Sequence, residues 1–212
     1  MQEENLPRLI SSNRIKALFS EEGDLLYLEL DGKTYEGLGY FAPIPVFELK
    51  GLKLSEIPED VYIEPVKRIK DGVIQGLSLG EVFSYSVRLS KGIAEIEVLG
   101  WTTEWDRAIS AIAYYKALVS VVRELTNADI VNGYDVETED KWFSLSFSLR
   151  IPDDLTVHKT LALIKKIAWE IEAEVEYRAA LLAFKEAKRR LASLWKPEEK
   201  VSERVKKLLI SI

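Results

Sequence analysis

The sequence predicts an α+β protein, and three observations carry that prediction. Residues 82–151 contain four runs in which apolar and polar residues alternate. Each pair of runs is followed by a stretch with helical spacing. Residues 14–41 alternate in shorter runs, cut by turn residues. A period of two marks a half-buried strand, and a period near 3.6 marks an amphipathic helix.

In the first pair of runs, Phe83, Tyr85, Val87 and Leu89 alternate with Ser84, Ser86 and Arg88. Ser90-Lys91-Gly92 is the turn, and Ile96 and Val98 then alternate with Glu95 and Glu97. Trp101-Thr102-Thr103-Glu104-Trp105-Asp106 leads into a helix, with Thr103 as N-cap and Asp106 at N3. Its apolar stripe is Trp105, Ile109, Ile112, Val119 and Val122. The second pair sets Tyr134 and Val136 against Asp135 and Glu137. It turns at Glu139-Asp140-Lys141 and returns through Phe143, Leu145, Phe147 and Leu149. A second helix is expected from Asp153 or Asp154, with Leu161, Ile164, Ala168, Ile171 and Val175 as its stripe. The pattern recurs at an offset of about fifty residues. The expected architecture is therefore two tandem strand-strand-helix units. They form an antiparallel sheet with both helices on its apolar face.

A β-meander is expected before these units. Asp31-Gly32 is a strong two-residue hairpin signal, and Gly37 and Gly39 mark a bulge or a close backbone approach. Residues 42–81 read as irregular, because Pro43, Pro45, Pro58 and Pro65 each remove a backbone donor. Leu54 to Asp60 has room for one helical turn. Val61-Tyr62-Ile63 and Val73-Ile74 are short strand candidates. Trp169 to Tyr177 alternates strictly, but no turn residue bounds it and its Glu and Ala residues favour helix. It is therefore read as helix, continuous from about Leu155 to Trp195. Lys196-Pro197-Glu198 ends it, and Val201, Val205, Leu208 and Ile212 give a last helix at heptad spacing. The divisions expected are 1–81, the meander and irregular segment; 82–177, the doubled core; and 178–212, a C-terminal helical hairpin.

Composition narrows the functional classes. The chain has no cysteine, one methionine and a charged fraction of 30%. This is the pattern of a hyperthermophile protein. Lack of cysteine excludes disulfides and thiolate metal sites. No signal peptide or membrane span is read, so a soluble cytoplasmic protein is expected. His158, the only histidine, reads as a surface residue beside a capping Asp. Gly72, Gly76 and Gly80 lack the spacing of a phosphate loop. Neither Gly-x-Ser-x-Gly nor His-Glu-x-x-His occurs. No catalytic residue, metal ligand or cofactor is assigned, and a non-enzymatic protein is expected.

The net charge of −6 is unevenly spread. Residues 185–207 hold nine Lys or Arg against four Glu, a net of +5, which leaves −11 on the rest. Lys185, Lys188, Arg189, Arg190, Lys196, Arg204 and Lys207 are the candidates for nucleic acid or another anionic partner. Leu181, Phe184, Leu191, Trp195, Val201, Val205 and Leu208 are the candidates for self-association, with a homodimer as the simplest product. Trp101 and Trp105 read as closing one end of the core. Assembly through the C-terminal helices is the first functional expectation, and nucleic-acid binding by the same helices the second. The third is a metal-dependent enzyme using Glu95, Glu97, Asp135 and Glu137 on the polar sheet face.

Overall fold

The computed structural model describes residues 7–101, 108–125, 130–139 and 142–194. Several sheets of mostly antiparallel strands and two α-helices make an α+β fold.

The first sheet is a meander of four antiparallel strands in chain order. These are β1 (Arg8–Ser11), β2 (Ile15–Phe19), β3 (Leu25–Leu30) and β4 (Lys33–Glu36). The hairpin at Asp31-Gly32 has φ of 51° and 84°, the left-handed pair that a tight two-residue turn requires. Gly37 passes so close to the Leu25 carbonyl that a Cβ has no room there. β1 was not expected from the sequence. It is short, and its residues are exposed except for half-buried Ile10, so no alternation marks it.

Residues 42–81 contain more strand than their prolines suggested. β5 (Phe41–Pro45) and β6 (Tyr62–Val66) pair in parallel and join the main sheet. β5 is the edge strand, where Pro43 and Pro45 are tolerated. β7 (Arg68–Lys70) and β8 (Val73–Gln75) form a separate hairpin. Leu54–Glu56 makes the expected single turn, as a 3-10 helix.

The main sheet is completed by β9 (Ser84–Ser90), β10 (Ile93–Trp101), β11 (Ile130–Glu139) and β12 (Trp142–Arg150). Its order is β11-β12-β10-β9-β6-β5. Helix α1 (Ala108–Leu125) follows β10, and α2 (Val157–Leu194) follows β12. The alternation places Val87, Leu89, Ile96, Val98, Leu145 and Phe147 in the core. One contiguous apolar cluster runs from Ile15 in the meander to Ala179 in α2, so the meander shares the core of the main sheet.

Both helix readings needed adjustment. On α1 the buried residues are Ala113, Ala117, Leu118, Val121 and Val122, while Val119 is only half-buried. Val122 of the expected stripe is thus buried and Val119 packs against the core, the alanines extend the buried side toward α2, and the side chains of Ile109 and Ile112 lie outside the described residues. Helix α2 starts after Thr156, whose Oγ1 accepts the Lys159 N–H at 3.4 Å. Asp153 and Asp154 lie before it, where the Asp153 carbonyl accepts the Ser55 N–H at 2.7 Å. The Asp153 carbonyl is thus tied to the 50s segment, and the side chain that caps α2 is that of Thr156. The expected cap at Thr103 and Asp106, Trp105, the turn completed by Asp140 and Lys141, and everything expected beyond Leu194 lie outside the described residues.

Candidate interaction surface on the long helix

Helix α2 has 38 residues, about 57 Å at 1.5 Å per residue. Its Glu, Ala, Lys and Leu residues are good helix formers, so the backbone continues past the sheet without a break. The expected stripe of Leu161, Ile164, Ala168, Ile171 and Val175 is buried, and Ala179 is its last buried residue. From Ala180 to Arg190 no residue is buried.

One acid interrupts the apolar stripe. Glu172 is only 6% exposed and sits at the same helical angle as its buried neighbours. Its Oε2 accepts the Glu81 N–H at 2.8 Å, and its Oε1 accepts those of Val82 at 3.1 Å and Phe83 at 3.0 Å. Three successive backbone donors ahead of β9 thereby stabilise a buried carboxylate. Gly80 makes the approach possible, since a Cβ there collides with the carboxylate and with the Tyr85 ring. The Tyr85 hydroxyl is buried beside Glu172 with no hydrogen-bond partner. Burial and, next, the carboxylate's charge push its pKa far above the usual phenol range. Sequence reading missed Glu172 because nothing local separates it from Glu170, Glu174 and Glu176, all exposed.

On the opposite side of α2 lies an exposed seam. Tyr177 is 66% exposed and Phe184 65%, with Ala173, Ala180 and Ala187 exposed between and around them. At roughly 100° per residue this seam lies about 160° around the helix from the buried stripe. Leu181 is exposed beside it. Of the expected self-association residues, Leu181 and Phe184 are therefore open to solvent. Leu191 lies within α2, and Trp195, Val201, Val205 and Leu208 fall outside the described residues. The sequence reading named Phe184 but passed over Tyr177 and the alanines. Their four-three spacing was the signal available.

Two clefts flank the contact between α1 and α2. One, of about 470 Å³, is lined by Ala113, Lys116, Leu182, Lys185, Glu186, Arg189 and Arg190. It brings three of the expected anion-binding residues together and adds Lys116. Glu186 accepts from Arg189 at 3.0 Å and from Arg190 at 3.1 Å, and both guanidinium groups hold its pKa below the usual carboxylate range. Lys188 is exposed and does not line this cleft. Lys196, Arg204 and Lys207 are outside the described residues. The other cleft, of about 600 Å³, is apolar at Val121, Leu125, Ile167 and Ile171. At its rim Arg178 donates to Glu124 and Glu174 at 2.6 to 2.7 Å, which lowers the Glu124 pKa.

The polar face of the main sheet is organised around Arg88. Its guanidinium lies over the rings of Phe41 at 4.3 Å and Tyr40 at 5.3 Å and faces Glu64 at 3.5 Å. Burial raises the Glu64 pKa, and Arg88 opposes that shift. Tyr40 donates to Glu95 at 3.0 Å, and Ser144 donates to Glu97 at 2.9 Å. The four carboxylates expected to gather there do not share adjacent strands. β12, with its serines, lies between β10, which carries Glu95 and Glu97, and β11, which carries Asp135 and Glu137. Two strand spacings, roughly 9.6 Å, separate the two pairs at the backbone. Among the described residues no group of three or more His, Cys, Asp or Glu converges on a metal position. His158 is exposed at the start of α2. No helix among the described residues is long and apolar enough to cross a membrane.

Compared with models of known protein families and with characterised proteins, the chain gives no match.

Proposed function

We propose that this is a non-enzymatic assembly protein that works through the outer side of α2. One observation carries the reading: Tyr177 and Phe184 stand exposed at a heptad interval on a helix that continues past its last buried residue. Fully covering a side chain of that size is worth roughly 1.5–3 kcal/mol. Aromatic residues exposed in line mark an interaction site. Residues 178–212 form a helical hairpin in this reading, with Lys196-Pro197-Glu198 as the turn. A second copy of the chain covers the side that the returning segment leaves open, giving a homodimer.

Light scattering on the full chain, on a chain ending at Lys196 and on Phe184→Glu tests this. A dimer mass at tens of micromolar is expected for the full chain, and a monomer for Phe184→Glu. A monomeric full chain, unchanged by the truncation, overturns the reading.

Nucleic-acid binding is the second reading. The cleft lined by Lys116, Lys185, Arg189 and Arg190 favours it, since it carries four cations against Glu186 alone. Filter binding at several salt concentrations separates the two. Phosphate contacts give an affinity that falls steeply with salt, whereas apolar helix pairing responds weakly.

Two further readings attach to the fold. The tandem strand-strand-helix units are an internal duplication, supported by a sheet order in which β10 and β12 pair centrally and β9 and β11 flank them. Superposing the two halves tests it. A hyperthermophilic source is supported by branched ion pairs at Arg14, with Asp31 and Glu56, and at Arg178, with Glu124 and Glu174. Calorimetry is expected to give an unfolding midpoint above about 90 °C; a midpoint in the range of ordinary mesophile domains overturns the thermophilic source.

A further inference from the structure

The seam on α2 has a direction as well as a position. Tyr177, Phe184 and Leu191 recur every seven residues, and Ala173, Ala180 and Ala187 recur every seven between them. The four-three spacing is that of a two-helix seam. From Ala173 to Leu191 small and large residues alternate along it; at the same spacing Glu170 precedes this run and Leu194 follows it.

This alternation decides between the two ways in which a second α2 could lie. In a parallel pair each layer sets like on like: Tyr177 on Tyr177, then Ala180 on Ala180. Crowded layers would alternate with empty ones, and close packing tolerates neither. In an antiparallel pair each layer sets large on small. Tyr177 meets the partner's Ala187, Phe184 meets the partner's Ala180, and Leu191 meets the partner's Ala173.

The flanking residues agree. Glu174 falls opposite the partner's Lys188, and Glu176 opposite the partner's Arg190. Leu181 meets the partner's Leu181 at the centre. All of these residues are exposed on the single chain. Opposite charges therefore face each other in both rows, and the apolar pair lies where the two-fold axis must pass. Parallel pairing sets Glu176 near Leu181 and Ala183 near Lys188, which matches no charge.

We propose that two copies pair antiparallel along α2, about a two-fold axis level with Leu181, with Tyr177 and Phe184 packed on the partner's alanines. This rests on assembly through α2 and specifies its partner and register. The chain has no cysteine, so single-cysteine variants report geometry directly. Under mild oxidation Leu181→Cys is expected to give a covalent dimer, and Tyr177→Cys is not. Lys188→Glu is expected to weaken the dimer roughly tenfold in sedimentation, because the two-fold axis counts each change twice. Adding Glu174→Lys to Lys188→Glu is expected to restore it. Circular dichroism on every variant checks that the fold is intact. Cross-linking at Tyr177 and not at Leu181, or failure of the double charge reversal to restore a dimer that Lys188→Glu weakens, overturns the antiparallel register and leaves assembly through α2 standing. A dimer indifferent to Phe184→Glu overturns both.

Discussion

The two halves of α2 form one unbroken helix and meet opposite fates. Between Val157 and Ala179 the helix buries a stripe against the sheet and α1. From Ala180 to Arg190 it buries nothing. Leucines, alanines and paired charges occur in both, but every Ile and Val of the helix lies in the first half, and 180–194 carries four Lys or Arg against one Glu. What covers them differs as well. The first half packs on α1 and, at Glu172, on the chain leading into β9. The second runs beside α1, with Leu182 lining the cleft against Ala113, and carries Phe184 on the far side. Apolar content in a helix thus reports the number of surfaces to be covered, and its periodicity reports where each surface lies.

Glu172 sharpens the comparison, because the first half buries an acid that the second would leave in water. Glu172→Ala deletes the acceptor of three N–H groups, one buried and two half-buried. A loss of about 3–5 kcal/mol is expected in denaturant unfolding. Glu170→Ala, two residues away and exposed, is expected to stay within about 0.5 kcal/mol. Equal losses at the two positions would break the comparison.

A smaller effect is expected at Tyr85. Its pKa is raised in the folded protein, so the folded state holds the phenol proton more tightly than the unfolded chain does. The stability tied to that proton is fully present below the unfolded phenol pKa, near 10, and is lost as pH rises beyond it. Tyr85→Phe removes this loss. Its hydroxyl has no hydrogen-bond partner, so the change is expected to be near neutral at pH 7. Circular dichroism against pH is expected to show alkaline unfolding shifted upward in the variant. Identical alkaline limbs would mean that Tyr85 is more hydrated than its burial indicates.

Much of the fold was legible because it is periodic. The alternation through Tyr85, Val87 and Leu89, and through Phe143, Leu145 and Phe147, marks strands whose apolar side is buried. The stripe from Leu161 to Val175 marks the buried side of α2 through the stretch that alternates like a strand. Features fixed by distant partners were not legible. The start of α2 depends on the 50s segment taking up the Asp153 carbonyl. β5 accepts its prolines because it lies at an edge, and an edge is a property of the whole sheet. The separation of Glu95 and Glu97 from Asp135 and Glu137 follows from strand order, which no local pattern encodes. The candidate surface was half legible. Leu181 and Phe184 belong to an unbroken apolar run, 179–184, and the alanines gain meaning only once their side of the helix is known to face outward.

The contacts of Glu172 also bear on the order of folding. They join residues 89 to 91 positions apart. The hydrogen bonds of α2 itself span four residues and form within about a microsecond, whereas closing a long loop carries an entropic cost that grows with the logarithm of its length. The helix can therefore exist before its anchor does, with an ionised acid still solvated on its apolar side. Docking has to remove that water and align three amides in the same event. The middle of α2 is thus a local structure whose attachment is set by topology, and its arrival on the sheet must wait for the chain ahead of β9.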